Sequence, residues 1–209
     1  MSSSATKRGQ GTGVHPTGEL GVWIFLASEG LLFGAVILAY LVARLQNGAA
    51  FAAASAELSL PLGTLNTAVL LTSSFAIASA LIWSEVGRER GARLAICATA
   101  ALGLFFLGIK GFEYWDEAQR GLLPILALDF RYDGPDPQHA RLFFDAYLAL
   151  TGLHALHLLS GIVLLGYIAL LWRRLKDPSH VLRLSALYWH LIDIVWVFLF
   201  PLLYLVRAP

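Results

Sequence analysis

Four places in this sequence set ionisable side chains inside apolar runs. Glu29 stands in Phe25-Leu-Ala-Ser-Glu29-Gly-Leu-Leu-Phe33. Lys110 and Glu113 are three residues apart, as are His154 and His157 in Thr151-Gly-Leu-His154-Ala-Leu-His157. His190 and Asp193 repeat the spacing in Tyr188-Trp-His190-Leu-Ile-Asp193-Ile-Val-Trp196. Residues three apart are neighbours on a helix surface, so each pair shares a face. An Asp at the centre of a membrane helix costs about 2.5–3.5 kcal/mol on insertion scales, so such groups turn toward a bundle interior or a partner.

Two chemistries suit these residues. As metal ligands, two histidines with a Glu and an Asp would bind iron, zinc or copper; a four-helix di-iron site uses Glu-x-x-His pairs, and no span carries one. As a hydrogen-bonded network, the imidazoles would donate across helices to Asp193, Glu29 or Glu113 and fix the register of the bundle. On that reading Asp193→Leu leaves His190 without its partner. Glu29 is either a proton-linked carboxylate, neutral or sharing a proton with a histidine, or an interhelical hydrogen bond that fixes packing. Lys110 and Glu113 read as an intrahelical ion pair. Tyr114, Trp115, Asp116 and Glu117 follow at once, placing this end near the interface, toward which Lys110 can snorkel. The single cysteine, Cys97, excludes an internal disulfide framework and reads as a small packing residue.

The elements that must position these groups follow from composition. Of 209 residues, 57% are hydrophobic and 14% charged, against roughly half and about a quarter in soluble domains. Mean hydropathy is +0.67. Net charge of +1 gives no basis for a nucleic-acid partner. Five segments, 20–43, 62–84, 92–115, 143–172 and 184–206, reach the ~20 residues that cross a bilayer as a helix. The fold class is therefore all-α integral membrane, a five-transmembrane-helix bundle over 19–209 behind a polar, disordered tail of residues 1–18. The tail has no signal-peptide core, and the Ala-rich run Ala49–Ala56 follows a segment too long for one, so the first span is retained. Trp23, Tyr40, Trp83, Trp115, Trp172, Trp189 and Tyr204 fall near span ends as an aromatic belt would. Gly30, Gly34, Gly103, Gly108, Gly111, Gly152 and Gly161 suit close helix packing. With the N-terminus inside, nine basic residues fall on the inner side and five on the outer (Arg44, Arg120, Arg131, Arg141, Arg207), which orients the chain N-in and C-out. The connector 120–142 carries Asp129, Asp133 and Asp136, a conceivable Ca²⁺ site without EF-hand spacing.

Taken in order, Ile24-Phe-Leu-Ala-Ser-Glu29, Leu65-Asn-Thr-Ala-Val-Leu-Leu-Thr-Ser73, Glu113-Tyr114 and the two histidine segments resemble the cytochrome c oxidase subunit III family, from about Gly18 to Val206. The chain resembles the short five-helix bacterial form; seven-helix members carry two further N-terminal helices. Where longer members have a histidine pair, this chain has Leu81-Ile82. Lys110 replaces a usual uncharged polar residue. The resemblance implies a non-catalytic, lipid-binding subunit that packs against subunit I, with haem and copper in partner subunits and no metal or catalytic residue of its own. It assigns Glu29 as the family's buried carbodiimide-reactive carboxylate, and implies support of proton uptake and protection from turnover inactivation. Bound phospholipid is implied, with Arg44, Trp23 and His190 as candidate contacts.

The expectation is thus a subunit III in a bacterial cytoplasmic membrane, N-terminus cytoplasmic and C-terminus periplasmic, with subunits I and II and phospholipid as partners. The site is Glu29 plus a network of Glu113, His154, His157, His190 and Asp193. Cytochrome c or a quinol-oxidising complex would be met through the other subunits. The alternatives are a subunit III-like component of a quinol oxidase or nitric oxide reductase, a stand-alone proton-coupled transporter, and an enzyme with its own di-metal centre.

Overall fold

A computed structural model describes residues 16–124 and 130–206, so residues 1–15 of the expected tail, Asp129 and Arg207 lie outside the described residues, and residues 16–18 belong to the first helix rather than to a tail. The described chain is helical, without strands. Five helices are long and apolar enough to cross a membrane: α1 (Pro16–Gln46), α3 (Leu60–Glu85), α4 (Glu89–Gln119), α5 (Pro137–Leu171) and α6 (Pro178–Tyr204). A nine-residue helix, α2 (Gly48–Ala56), follows α1 and packs against α5. This is the Ala-rich run, given a fixed place by Phe51, which is fully buried against the Tyr40 and Phe143 rings. The Ser55 hydroxyl ties α2 to α6 by donating to the Leu203 carbonyl at 2.6 Å.

Helix ends come from capping chemistry, and the apolar runs underestimate them. α5 starts six residues before the expected 143 because Asp136 accepts from the His139 amide and Pro137 takes the first helical position. Asp177 and Pro178 start α6 in the same way, with a 3.0 Å bond from the His180 amide. At the other ends Gly87 and Gly121, both at φ 73°, adopt the left-handed conformation that glycine reaches without a Cβ penalty. The Leu122 amide then donates to the Glu117 carbonyl at 2.9 Å and the Gly121 amide to Ala118 at 3.0 Å, the paired bonds of a Schellman ending.

α3 and α4 form a closely packed hairpin; α6 lies against α3 and α5, and α4 against α5. Trp189 fills the space between α4 and α5. A Cβ on Gly103 would come within 2.8 Å of its ring, and one on Gly161 within 3.2 Å. Gly30, Gly34, Gly108, Gly111 and Gly152 have no such close neighbour, so the small-residue packing expected of all seven holds at two. α1 leans on α5 and α6 and leaves most of its surface outward.

Burial corrects three further expectations. Trp172, Trp189, Tyr40 and Tyr204 are interior rather than belt residues, whereas Trp23, Trp83 and Trp115 are exposed. Three of these rings find a partner for their polar atom, as when the Trp189 N–H donates to Ser73 Oγ at 3.0 Å and Tyr40 to the Leu202 carbonyl at 2.7 Å, whereas the buried Trp172 N–H has none among the described residues. Cys97 is exposed on α4 rather than packed in the core. Lys110 does not snorkel: it is 2% exposed, inside the bundle.

Candidate functional site

Glu29 and His157 meet between α1 and α5. Glu29 Oε2 lies 2.6 Å from His157 Nε2, with the side chains 15% and 17% exposed. The other ring nitrogen settles the proton inventory. His157 Nδ1 is 2.8 Å from the Leu153 carbonyl, which can only accept, so Nδ1 carries hydrogen. One proton therefore occupies the Glu29–His157 contact. With the proton on Glu29 both groups are neutral; with it on Nε2 they are imidazolium and carboxylate. The pair is net neutral in either state, as a partly desolvated site in a membrane protein favours. Tyr188 steadies the α5 turn by donating to the His157 carbonyl at 3.1 Å, and Phe33 sets its ring against the imidazole, centroids 5.1 Å apart.

The remaining network is not a single seam. Glu113 bonds to Lys110 Nζ at 2.9 Å and accepts from Tyr204 at 2.8 Å, making no histidine contact. His154 is fully buried between Phe106 and Trp196, ring centroids 5.5 and 5.1 Å away, and neither nitrogen has a partner among the described residues. His190 Nδ1 pairs with Ser74 Oγ at 2.8 Å, so its partner lies on α3. Asp193 is on the same helix face but makes no bond to His190. Ser74 approaches it without hydrogen-bond geometry, leaving both carboxyl oxygens buried and unpartnered. Of the three expected histidine–carboxylate pairings, only His157 with Glu29 forms.

Sequence reasoning passed over Tyr147, read Glu117 and Tyr204 as residues near the membrane interface, and took Ser74 only as an uncharged hydrogen-bonding group of the second span. Glu117 is i+4 from Glu113 and i+7 from Lys110, a helical repeat that marks a common face. Its neighbours Trp115 and Asp116 lie exposed on the opposite side, which made the stretch look interfacial.

Arg44 is half-buried at the edge of a cavity of about 520 Å³ between α1 and the end of α6, lined by Ile37, Leu41, Phe198 and Pro201. A second, almost wholly apolar cavity of about 390 Å³ lies between the start of α1 and α5–α6, against Phe25, Leu164 and Tyr188. Trp23 projects outward, 57% exposed, and lines neither.

Among the described residues no three His, Cys, Asp or Glu side chains converge, so their donor set does not suit a di-metal centre; Asp129 of the conceivable Ca²⁺ site lies outside the described residues. Asp136 is engaged by His139 Nδ1 at 2.6 Å, which holds its carboxyl below the usual range.

The sequence profile described as Cytochrome c oxidase subunit III matches residues 1–122 and 135–207. The Cytochrome c oxidase subunit 3 of Thermostichus vulcanus is 31% identical over 215 residues, covering 96% of each chain. The protein of that description from Synechocystis sp. is 31% identical over 91% of this chain and 77% of its own. A Probable quinol oxidase subunit 3 of Staphylococcus aureus is 30% identical over 90% and 88%.

Proposed function

This chain belongs to the cytochrome c oxidase subunit III family, and we propose that it serves as the non-catalytic subunit III of a haem-copper terminal oxidase. The observation that carries the reading is a family match running through all five long helices. Haem and copper in the partner subunits would supply the redox chemistry, with oxygen reduced in subunit I, and no step in this chain runs through a metal. Its own residues have three tasks: to pack against subunit I, to hold lipid and to keep a proton.

The proton is the one in the Glu29–His157 contact. Moving it across 2.6 Å interconverts a neutral pair and an imidazolium–carboxylate pair at constant net charge, so the contact can hold a proton on either group, and only its exchange with a third group changes the charge of the pair. That chemistry suits support of proton uptake by subunit I. It also gives Glu29 a structural duty, because α1 has few other anchors on α5.

Lipid is supported by the cavities on either side of that contact. The Arg44 guanidinium at the edge of one suits a phosphate headgroup by bidentate, charge-assisted bonding, and the apolar walls suit acyl chains. The setting is a bacterial cytoplasmic membrane with the residues before α1 on the cytoplasmic side and the C-terminus periplasmic, by the excess of basic residues on one side.

A second reading, subunit III of a quinol oxidase, is favoured by the 30% identity to a probable quinol oxidase subunit, against 31% for the cytochrome c oxidase relatives. Purification in lipid nanodiscs through a tag on this chain separates the possibilities. The expected result is a haem spectrum, two larger partners and oxygen consumption driven by either reduced cytochrome c or quinol. A colourless single component after nanodisc extraction overturns both readings.

A further inference from the structure

At the α4–α5–α6 end beside the 120–136 connection, the bundle holds a cluster that the proposed function does not use. Lys110, Glu113 and Glu117 come from α4, Tyr147 from α5 and Tyr204 from α6; all five are at most 2% exposed.

Counting hydrogens fixes its charge. Tyr204 donates its one hydroxyl hydrogen to Glu113, at 2.8 and 3.0 Å to the two oxygens, and Tyr147 donates to Glu117 Oε1 at 2.9 Å. Neither hydroxyl has a hydrogen left for Lys110. Yet Lys110 Nζ contacts Tyr204 at 2.7 Å, Tyr147 at 2.8 Å and Glu113 at 2.9 Å, so Nζ must donate all three. A neutral amine has two donors and an ammonium three; Lys110 is the ammonium. Both Glu113 oxygens receive donors. Glu117 Oε2 is buried and receives none. With both carboxylates ionised the cluster would carry a net negative charge away from water, with one anionic oxygen unsolvated. A single proton on Glu117 removes the net charge and sits on the oxygen that lacks a donor.

We propose that Glu117 carries an exchangeable proton, making Lys110, Glu113 and Glu117 an internal proton-loading site distinct from the Glu29–His157 contact. One helical turn on, Arg120 is 39% exposed beside an open cavity of about 360 Å³ lined by Glu57, Arg131 and Asp133. Discharge breaks the Glu117 O–H bond, a water from that mouth takes the proton as hydronium, and the carboxylate left behind keeps the Tyr147 bond and the nearby ammonium. The other groups facing the cluster are His154 on α5, the Trp196 ring on α6, Tyr114 on α4 bonded to Thr151, and Asp116 at the mouth, paired with Arg120.

Infrared spectroscopy of the full chain with its co-purifying subunits, at neutral pH, tests this whether or not haem accompanies it. The wild type is expected to give a protonated-carboxyl C=O band that shifts in D2O. Glu117→Gln removes it. Glu113→Gln also removes it, because Glu117 then ionises against Lys110, whereas Lys110→Met roughly doubles it. If wild type minus Glu117→Gln contains no such band, or the band ignores D2O, the proposal is overturned. A second variant, Glu117→Asp, keeps a carboxyl at this place and should shift the difference band rather than abolish it, so the proposal stays testable if Glu117→Gln fails to fold.

Discussion

Replacing Lys110 by methionine keeps the length and apolar stem of the side chain and deletes the ammonium. What is lost depends on whether the cluster is a set of ordinary hydrogen bonds or an ionic centre. Interhelical hydrogen bonds in a membrane protein average about 0.6 kcal/mol; giving that value to the two Lys110 bonds that cross helices and to the one within α4, the three as neutral contacts would come to about 2 kcal/mol. Removing one partner of a buried ion pair costs about 3–5 kcal/mol, because the other charge stays buried. Glu113, 2% exposed with Lys110 as its only cationic partner among the described residues, places the variant in the second range. Protonation of Glu113 limits the loss to the lower part of it. Titrating the chain with SDS in mixed micelles while following helical circular dichroism measures this difference. The companion variant Lys110→Met/Glu113→Leu removes both charges and should recover at least half of the loss, since no unpaired ion remains. A loss of about 2 kcal/mol or less for Lys110→Met, or a double variant as unstable as the sum of its parts, would refute an ionic centre.

Glu29→Gln leaves one amide against His157 Nε2 and no proton to hand on; the complex should keep its haem content but lose activity faster during turnover, and an unchanged time course counts against the proton role. Asp193→Leu, disruptive if Asp193 held His190, should be neutral or stabilising, because it replaces two unpartnered buried oxygens with an apolar group while Ser74 still holds His190; recovery of the chain in membranes checks it, and a marked loss would reveal a partner for Asp193. Asp136 accepts from His139 and has a lowered folded-state pKa, so its contribution is present above the unfolded carboxylate value near ~4 and disappears as pH falls through the folded value. Amide exchange at His139–Arg141 should therefore accelerate only below about pH 4, and acceleration between neutral pH and that point would show a different origin.

The sequence by itself determined that the chain crosses a membrane five times, because transfer of some twenty apolar residues into lipid overwhelms every local preference. It also singled out Glu29 and His157, since an ionisable group in such a run has to be used. Apolar runs could not locate the helix ends: Asp136-Pro137 and Asp177-Pro178 cap polar first turns that belong to α5 and α6 but not to the apolar core of either span. Pairing belonged to the tertiary structure alone. A three-residue spacing puts His190 and Asp193 on one face, but the rotation of α6 against α3 sends His190 to Ser74 and leaves Asp193 bare. The same holds for Lys110, which in isolation sits close enough to the end of its helix to reach water. Tyr147 and Tyr204, separated from it by 37 and 94 residues, close over it from two other helices and turn a surface lysine into a buried cation. Periodicity reports which side of its own helix a residue occupies; which neighbour waits there is set by how the helices are packed.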